Sequence, residues 1–298
     1  MNKLNFLIFL LISGIFLQAC KKDEPEQEKI FDHGNLDISK IPAEWINSAK
    51  DKLHIAYGHT SHGSQLITGM TGLMEWKGDQ YKWNNGDMDG ALDIRDQIMG
   101  GDLGHNGSLA WESATRSLLD DTERMGDINV VIWSWCGGVS DNTEAGINIY
   151  LNAMDQLEKD YPDVQFVYMT GHLDGTGEEG NLHIRNEQIR KFCNDNNKIL
   201  YDFADIESYD PDGNYYGDKY ATDGCNYDFN NDGRTDQSGD PALPINGDGN
   251  WAIDWQNSHE LNVDWFNCYA AHTQPLNANR KAYAAWYLWA RLAGWDGN

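Results

Sequence analysis

Positive charge is scarce in this chain. Its 22 Lys and Arg face 47 Asp and Glu, a net charge of −25 over 298 residues. Binding a nucleic-acid backbone needs clustered cations, so nucleic acid is excluded as a partner. Also missing is an apolar run of the about 20 residues that a membrane-spanning helix requires. The longest, Leu4 to Phe16, has 13 residues. Cysteine is sparse at five, with no CxxC spacing to hold a structural zinc. Beyond about residue 40 there is neither an internal repeat nor a linker, which leaves one large domain of about 258 residues.

What is there begins with an address. Met1-Asn2-Lys3 ahead of the apolar run and Leu17-Gln18-Ala19-Cys20 behind it have the order of a secretory signal over residues 1–19. The LQAC ending resembles the bacterial lipobox, which implies cleavage before Cys20 and lipidation of that cysteine. Lys21-Lys22-Asp23-Glu24 resembles the charged export tag of surface lipoproteins in the Bacteroidetes. Both resemblances imply an exported lipoprotein of the outer membrane, held to the bilayer by its lipid anchor alone. Residues 20–40 read as a polar tether, too poor in apolar side chains to bury a core and disordered up to about Ile30. The folded domain is expected over 41–298. Cys136, Cys193, Cys225 and Cys268 then remain, either as two disulfides in one of three pairings or as free buried thiols.

Short apolar runs ending in polar or Gly-rich turns predict buried strands at Leu53–Tyr57, Asn129–Trp133, Gln165–Met169 and Lys198–Tyr201. Helical spacing of apolar residues covers about 143–159, 182–194 and 277–292. Strands alternating with helices predict an α/β fold of three layers, α/β/α, around a mainly parallel sheet. In such sheets the reactive groups gather beyond the carboxyl ends of the strands, so the loops there are the candidates.

The first such loop is Gly58-His59-Thr60-Ser61-His62-Gly63-Ser64, two imidazoles and several hydroxyls directly after a strand. Ser61 is a candidate nucleophile whose amide can face an oxyanion; alternatively Ser61 or Ser64 caps the following helix. The second loop, Trp133 to Asn142, holds Cys136, Gly137 and Gly138, where glycines let amides approach a ligand. The third carries His172 in Thr170-Gly171-His172-Leu173-Asp174-Gly175, and His272 stands directly before the last helix.

A strand-end serine, Gly- and Asn-bearing oxyanion loops and a late histidine resemble the SGNH/GDSL hydrolase superfamily. HTSHG at 59–63 is similar to the HHSxG start of one divergent branch, in which a loop like WCGGVSD (135–141) follows a middle strand. The resemblance covers about residues 50–205 and 262–298. It implies Ser61 as nucleophile and His272 as general base. It also implies an oxyanion hole from the Ser61 amide, Gly104, Asn106 or Gly107 and the Cys136-Gly137 loop. His59, His62 and His172 would add substrate contacts. The superfamily's acid three residues before the histidine is Tyr269 here, and the nearest upstream acid is Asp264. Either Asp264 reaches His272, a backbone carbonyl orients it, or the triad is incomplete.

Residues 208–254 form an acidic insertion with ten Asp against Lys219 and Arg234. Asp228, Asn230, Asp232 and Asp236 follow the first half of a calcium loop, with Gly233 at its turn and Gly239 where the bidentate Glu would stand. Asp210 and Asp212 make a second candidate. A structural Ca²⁺ is expected, because a long aperiodic segment in a compact domain needs something to order it; no organic cofactor is implied. Twelve Trp and fourteen Tyr supply either core or sugar-stacking surface. Together these features predict an esterase or deacetylase acting on a polysaccharide, with a non-catalytic glycan-binding lipoprotein or another carbohydrate-active chemistry as alternatives.

Overall fold

The computed structural model describes residues 29–86 and 88–298, so the signal segment and Cys20 lie outside the described residues. In chain order the elements are β1 (Ile30–Phe31), α1 (Ala43–Lys52), β2 (His54–Gly58), α2 (Ser64–Lys77), β3 (Trp83–Asn84) and β4 (Leu92–Asp96). Next come α3 (Ala110–Leu119), α4 (Thr122–Met125), β5 (Val130–Trp133), α5 (Glu144–Asp160), β6 (Gln165–Met169), α6 (Asn181–Asp195) and β7 (Ile199–Tyr201). The chain closes with α7 (Phe203–Glu207), β8 (Asn226–Tyr227), β9 (Gly249–Asn250), α8 (Trp251–Ser258) and α9 (Pro275–Leu292).

Seven strands form one sheet in the order β1-β7-β6-β5-β2-β4-β3, every pairing parallel, with helices on both faces. The expected three-layer α/β/α architecture is the one observed. Strands β2, β5 and β6 read as continuous apolar runs because both faces are covered: all four residues of β5 are buried. Each fully buried Val or Ile there contributes roughly 1.5–3 kcal/mol. Strand β4 escapes that pattern, since Asp93 inside it is fully buried and paired with His54 and Arg95. Strand β1 adds Ile30 and Phe31 to the edge at β7, so part of the segment expected as tether belongs to the sheet.

Helix α9 is buried along most of its length and contacts α1, α2, α7 and α8 as well as the sheet. Gly69 of α2 permits the close crossing: a Cβ there would lie 2.1 Å from the Ala278 carbonyl oxygen. The aromatic richness goes chiefly into this core, with Trp111, Trp133, Trp251, Trp286, Trp289 and Trp295 all buried. Among the described residues no helix is long and apolar enough to cross a membrane.

The chain builds β4 on one side of β2 and then β5, β6 and β7 on the other. The order therefore reverses between β2 and β5, the position where such sheets open a crevice outside the carboxyl ends of the strands.

Candidate active site

Two loops enter that crevice side by side. The one after β2 turns tightly at Gly63, where a Cβ would meet Ser134 Oγ at 2.1 Å and His59 Cβ at 2.4 Å. Tyr57 donates its hydroxyl to the Gly63 carbonyl at 2.9 Å, closing the turn from below. The loop after β5 carries Cys136, followed by Gly137 and Gly138 at φ 70° and 73°, a left-handed pair that glycine adopts without strain.

These turns bring Cys136 Sγ to 3.2 Å from His62 Nδ1 and 3.2 Å from Ser61 Oγ. The other ring nitrogen of His62, Nε2, lies 2.9 Å from Asp223 Oδ2. Cys136, His62 and Asp223 thus stand in a nucleophile–base–acid line, the geometry that lets an imidazole hold a proton for a reacting sulfur. Asp223 comes from the acidic insertion. Its amide donates to the Leu173 carbonyl and the Gly175 amide donates to that of Ala221, a short ladder fastening the insertion to the third loop.

The charges agree with the geometry. The hydrogen bond from His62, against the opposing effect of burial and with help from Ser61 and Thr60, pulls the Cys136 thiol down to about 5. Burial disfavours the charged His62 ring, but Asp223 first and Cys136 next outweigh it and raise the imidazole to about 9. Asp223 is desolvated too, yet the hydrogen bond and charge of His62, with Lys281 farther off, hold its carboxyl below the usual range. At neutral pH the site is a thiolate beside an imidazolium. The other three cysteines differ: none of the four is bridged, and burial pushes Cys193 upward and Cys225 and Cys268 up to about 12. Of the sequence alternatives, free thiols are the one observed.

His62 is flanked by two more imidazoles, His172 at 3.7 Å between centroids and 1° between planes, and His272 at 4.7 Å and 24°. His172 accepts the Gly137 amide at Nε2 and faces the Leu173 carbonyl with Nδ1, which fixes the tautomer with the proton on Nδ1. His62, His172 and Asp223 also come close enough to bracket a metal ion. Their geometry fits one poorly, because two parallel stacked rings cannot both aim an in-plane lone pair at one ion, and His172 Nε2 already accepts an amide.

Beneath the loops lies a buried polar knot. Lys281 of α9, fully buried, donates to Gln65 and, at 2.7 Å, to Glu207 Oε2. Glu207 Oε1 receives the Leu173 amide at 2.5 Å, Gln65 donates to the Ala271 carbonyl at 2.6 Å, and Asn277 reaches the Asp223 carbonyl at 3.4 Å. One ion pair thereby fixes the backbones beside His172, Asp223 and His272. Removing one partner of such a pair costs roughly 3–5 kcal/mol.

Several sequence expectations need correction. Ser61 and His272 do reach the same crevice, but among the described residues no hydrogen bond joins them; Ser61 serves Cys136, and His62 takes the place expected for His272. His272 is exposed and left-handed at φ 65°. Asp264 is exposed and accepts the Glu260 amide, so it does not orient His272. Gly137 already donates its amide to His172 and is not free for an oxyanion. His59 is 3 % exposed and bound to Asp96 at 2.6 Å and Thr60, which makes it a loop anchor and removes it from substrate contact. Gly104 lies beside the site, since the Leu103 amide donates to the Ser134 carbonyl, and Asn106 and Gly107 form the short turn that follows. In that turn Gly107 packs on Ile149 of α5.

In the insertion, Asp210 receives the Asp212 and Asn214 amides, the Asn214 side chain and the Tyr216 hydroxyl. Its lone pairs are filled, so the Asp210–Asp212 pair is a closed turn and offers no metal site. Asp236 is likewise taken by Arg234 and Asn246. Asp228 accepts the Asp232 and Gly233 amides, one on each oxygen, and Asn230 accepts the Asp232 amide. Asp248 gives one oxygen to the Asp236 amide, while its other is buried with no partner among the described residues.

In the sequence Cys136 reads only as a neighbour of the oxyanion site, and Asp223 only as part of an acidic run. A thiol straight after a buried strand, with paired glycines behind it, was the available signal for the first. For the second there was none, as 161 residues separate His62 from Asp223. Comparison with family models, with curated proteins and with solved structures finds no match for this chain.

Proposed function

We propose that this protein is a thiol-dependent acyl hydrolase, with Cys136 as nucleophile, His62 as acid and base, and Asp223 as the residue that orients His62. The carrying observation is the line from Ser61 through Cys136 and His62 to Asp223 at 3.2, 3.2 and 2.9 Å. The thiolate attacks an acyl carbonyl and forms a thioester as the alcohol or amine leaves with a proton from His62. Water then loses a proton to His62 and attacks the thioester, releasing the acid and restoring the thiolate–imidazolium pair. Ser61 supports the reaction by donating its hydroxyl to the sulfur. The ester-hydrolase class expected from the SGNH-like motifs is kept, and its nucleophile moves one loop over. An acylated polysaccharide met outside the cytoplasm remains the proposed substrate, with the lipid anchor at Cys20 as the tether.

A small acetyl ester such as p-nitrophenyl acetate tests the assignment. Cys136→Ala should lose turnover and the acyl-enzyme burst, while Ser61→Ala keeps both at reduced rate. The opposite pattern would return the nucleophile to Ser61 and overturn this reading.

We further propose a structural Ca²⁺ on Asp228, Asn230 and Asp232 of the insertion. Support comes from the calcium-loop spacing of these three and their open lone pairs, and Asp248 of the same insertion keeps one buried oxygen without a partner among the described residues. Such a cation would brace the segment that delivers Asp223.

A further inference from the structure

Away from the triad, a cavity of roughly 320 Å³ opens between α9, the turn at His33–Asp37, the turn at Asp210–Gly213 and Trp255 of α8. No residue of the triad lines it. Its walls are mostly apolar, from Leu36, Leu276, Tyr283 and Trp255. Among them sits one cation, Arg280, only 4 % exposed.

Arg280 makes a single hydrogen bond, from Nε to the Ile206 carbonyl at 3.2 Å. Among the described residues its two terminal nitrogens have no hydrogen bond, and no carboxylate lies within ion-pair reach. Asp210, the acid that acts on it most strongly, has every lone pair engaged by its own turn and Tyr216. Burial accordingly wins over that attraction and draws the guanidinium down to about 10. The indole N–H of Trp255 is buried without a partner as well. A buried guanidinium is ordinarily paired, and bidentate carboxylates match its fork. Arg280 is therefore a buried donor fork on the cavity wall with no carboxylate within ion-pair reach among the described residues.

We infer that the cavity binds a small ring-bearing carboxylate, its acid group on Arg280 and its ring against Trp255, Leu276 and Tyr283. The volume is ample for one ring-sized body. Asp37, Asp210 and Asp264 also line the cavity, which favours a monoanion over a dianion such as phosphate or sulfate. An acidic sugar and an aromatic acid share this chemistry, and the test separates them.

The experiment is isothermal titration of the folded protein with sodium glucuronate and with sodium benzoate, against glucose and inorganic phosphate. One of the two carboxylates should bind 1:1 with saturation in the millimolar range or tighter, and glucose and phosphate should not. Glucuronate as the ligand marks a sugar-acid site, benzoate an aromatic one. Arg280→Met should weaken that binding at least tenfold, and Trp255→Ala, which removes the ring wall, severalfold. Should Arg280→Met fail to fold, Arg280→Lys takes its place, with an expected loss of the bidentate contact and most of the affinity. Absence of saturation by either carboxylate, equal binding of glucose or phosphate, or binding indifferent to these substitutions would overturn the inference. Because the readout is binding, its failure leaves hydrolysis at Cys136 untouched.

Discussion

Cys136 and His62 sit on loops leaving strands buried on both faces, so the register of β2 against β5 sets their separation: Gly58 lies opposite Trp133. Asp223 arrives from an insertion tied to the loop after β6 by two backbone hydrogen bonds, to α9 and its cap by Asn277 and Gln274, and by the packing of Cys225, Tyr227 and Trp251 with Leu276. The proposed nucleophile and base thus inherit the rigidity of the core, and the proposed orienting acid inherits the order of the insertion. A triad assembled this way keeps its reactive pair when the insertion loosens, and loses its orientation first.

Four measurements press on that contrast. Substitution at the sheet edge should be the most damaging: Cys136→Ala should cut ester turnover by roughly 10³-fold or more. Asp223→Asn, on the insertion, should cost less than Cys136→Ala, by roughly one to two orders of magnitude. Equal losses at the two sites would remove the distinction. Glu207→Ala strikes the knot that joins the regions and leaves Lys281 a buried, unpaired cation. Chemical denaturation should register a loss of roughly 3–5 kcal/mol, part of it recovered by adding Lys281→Met. Calcium is the gentlest probe: millimolar Ca²⁺ should raise the melting temperature of the wild type but not of Asp248→Asn, and no shift in either would remove the proposed ion.

The pH dependence reports on the sheet edge alone. Cys136, depressed to about 5, is thiolate above that value, and His62, raised to about 9, is imidazolium below it. Alkylation by iodoacetamide should therefore rise through about pH 5 and stay on a plateau at neutrality. Stability owed to the thiolate is lost as pH falls through 5, and that owed to the imidazolium is lost as pH rises through 9. Asp223→Asn should lower the upper limit, because the carboxylate is the strongest support of the His62 charge. A midpoint near 9 for alkylation would show an ordinary thiol and no ion pair.

The parallel sheet was legible because burial on both faces writes itself as unbroken apolar runs: the four expected strands match β2, β5, β6 and β7 within a residue or so. Strands β3 and β4 were not legible. Trp83–Asn84 is too short to show a pattern, and Leu92–Asp96 carries a buried Asp93 and an Arg95 that only their partners explain. The site was legible as a place, since loops after parallel strands must converge, and both reactive loops were found. Its roles were not, because the choice of His62 over His272 depends on ring placement within a few ångströms. Periodicity carries no such information, and motif order pointed to His272, which makes no hydrogen bond to Ser61 among the described residues.

Helix α9 has a consequence for how the molecule comes into being. Its Lys281 bonds with Gln65, 216 residues earlier, and its flank closes the sheet against α1 and α2. Contacts of that span are slow to form, since a long loop must be closed before any of them is rewarded. Until α9 docks, the loops around residues 172, 223 and 271 have no common anchor. Assembly of the proposed site is therefore coupled to the completion of the core.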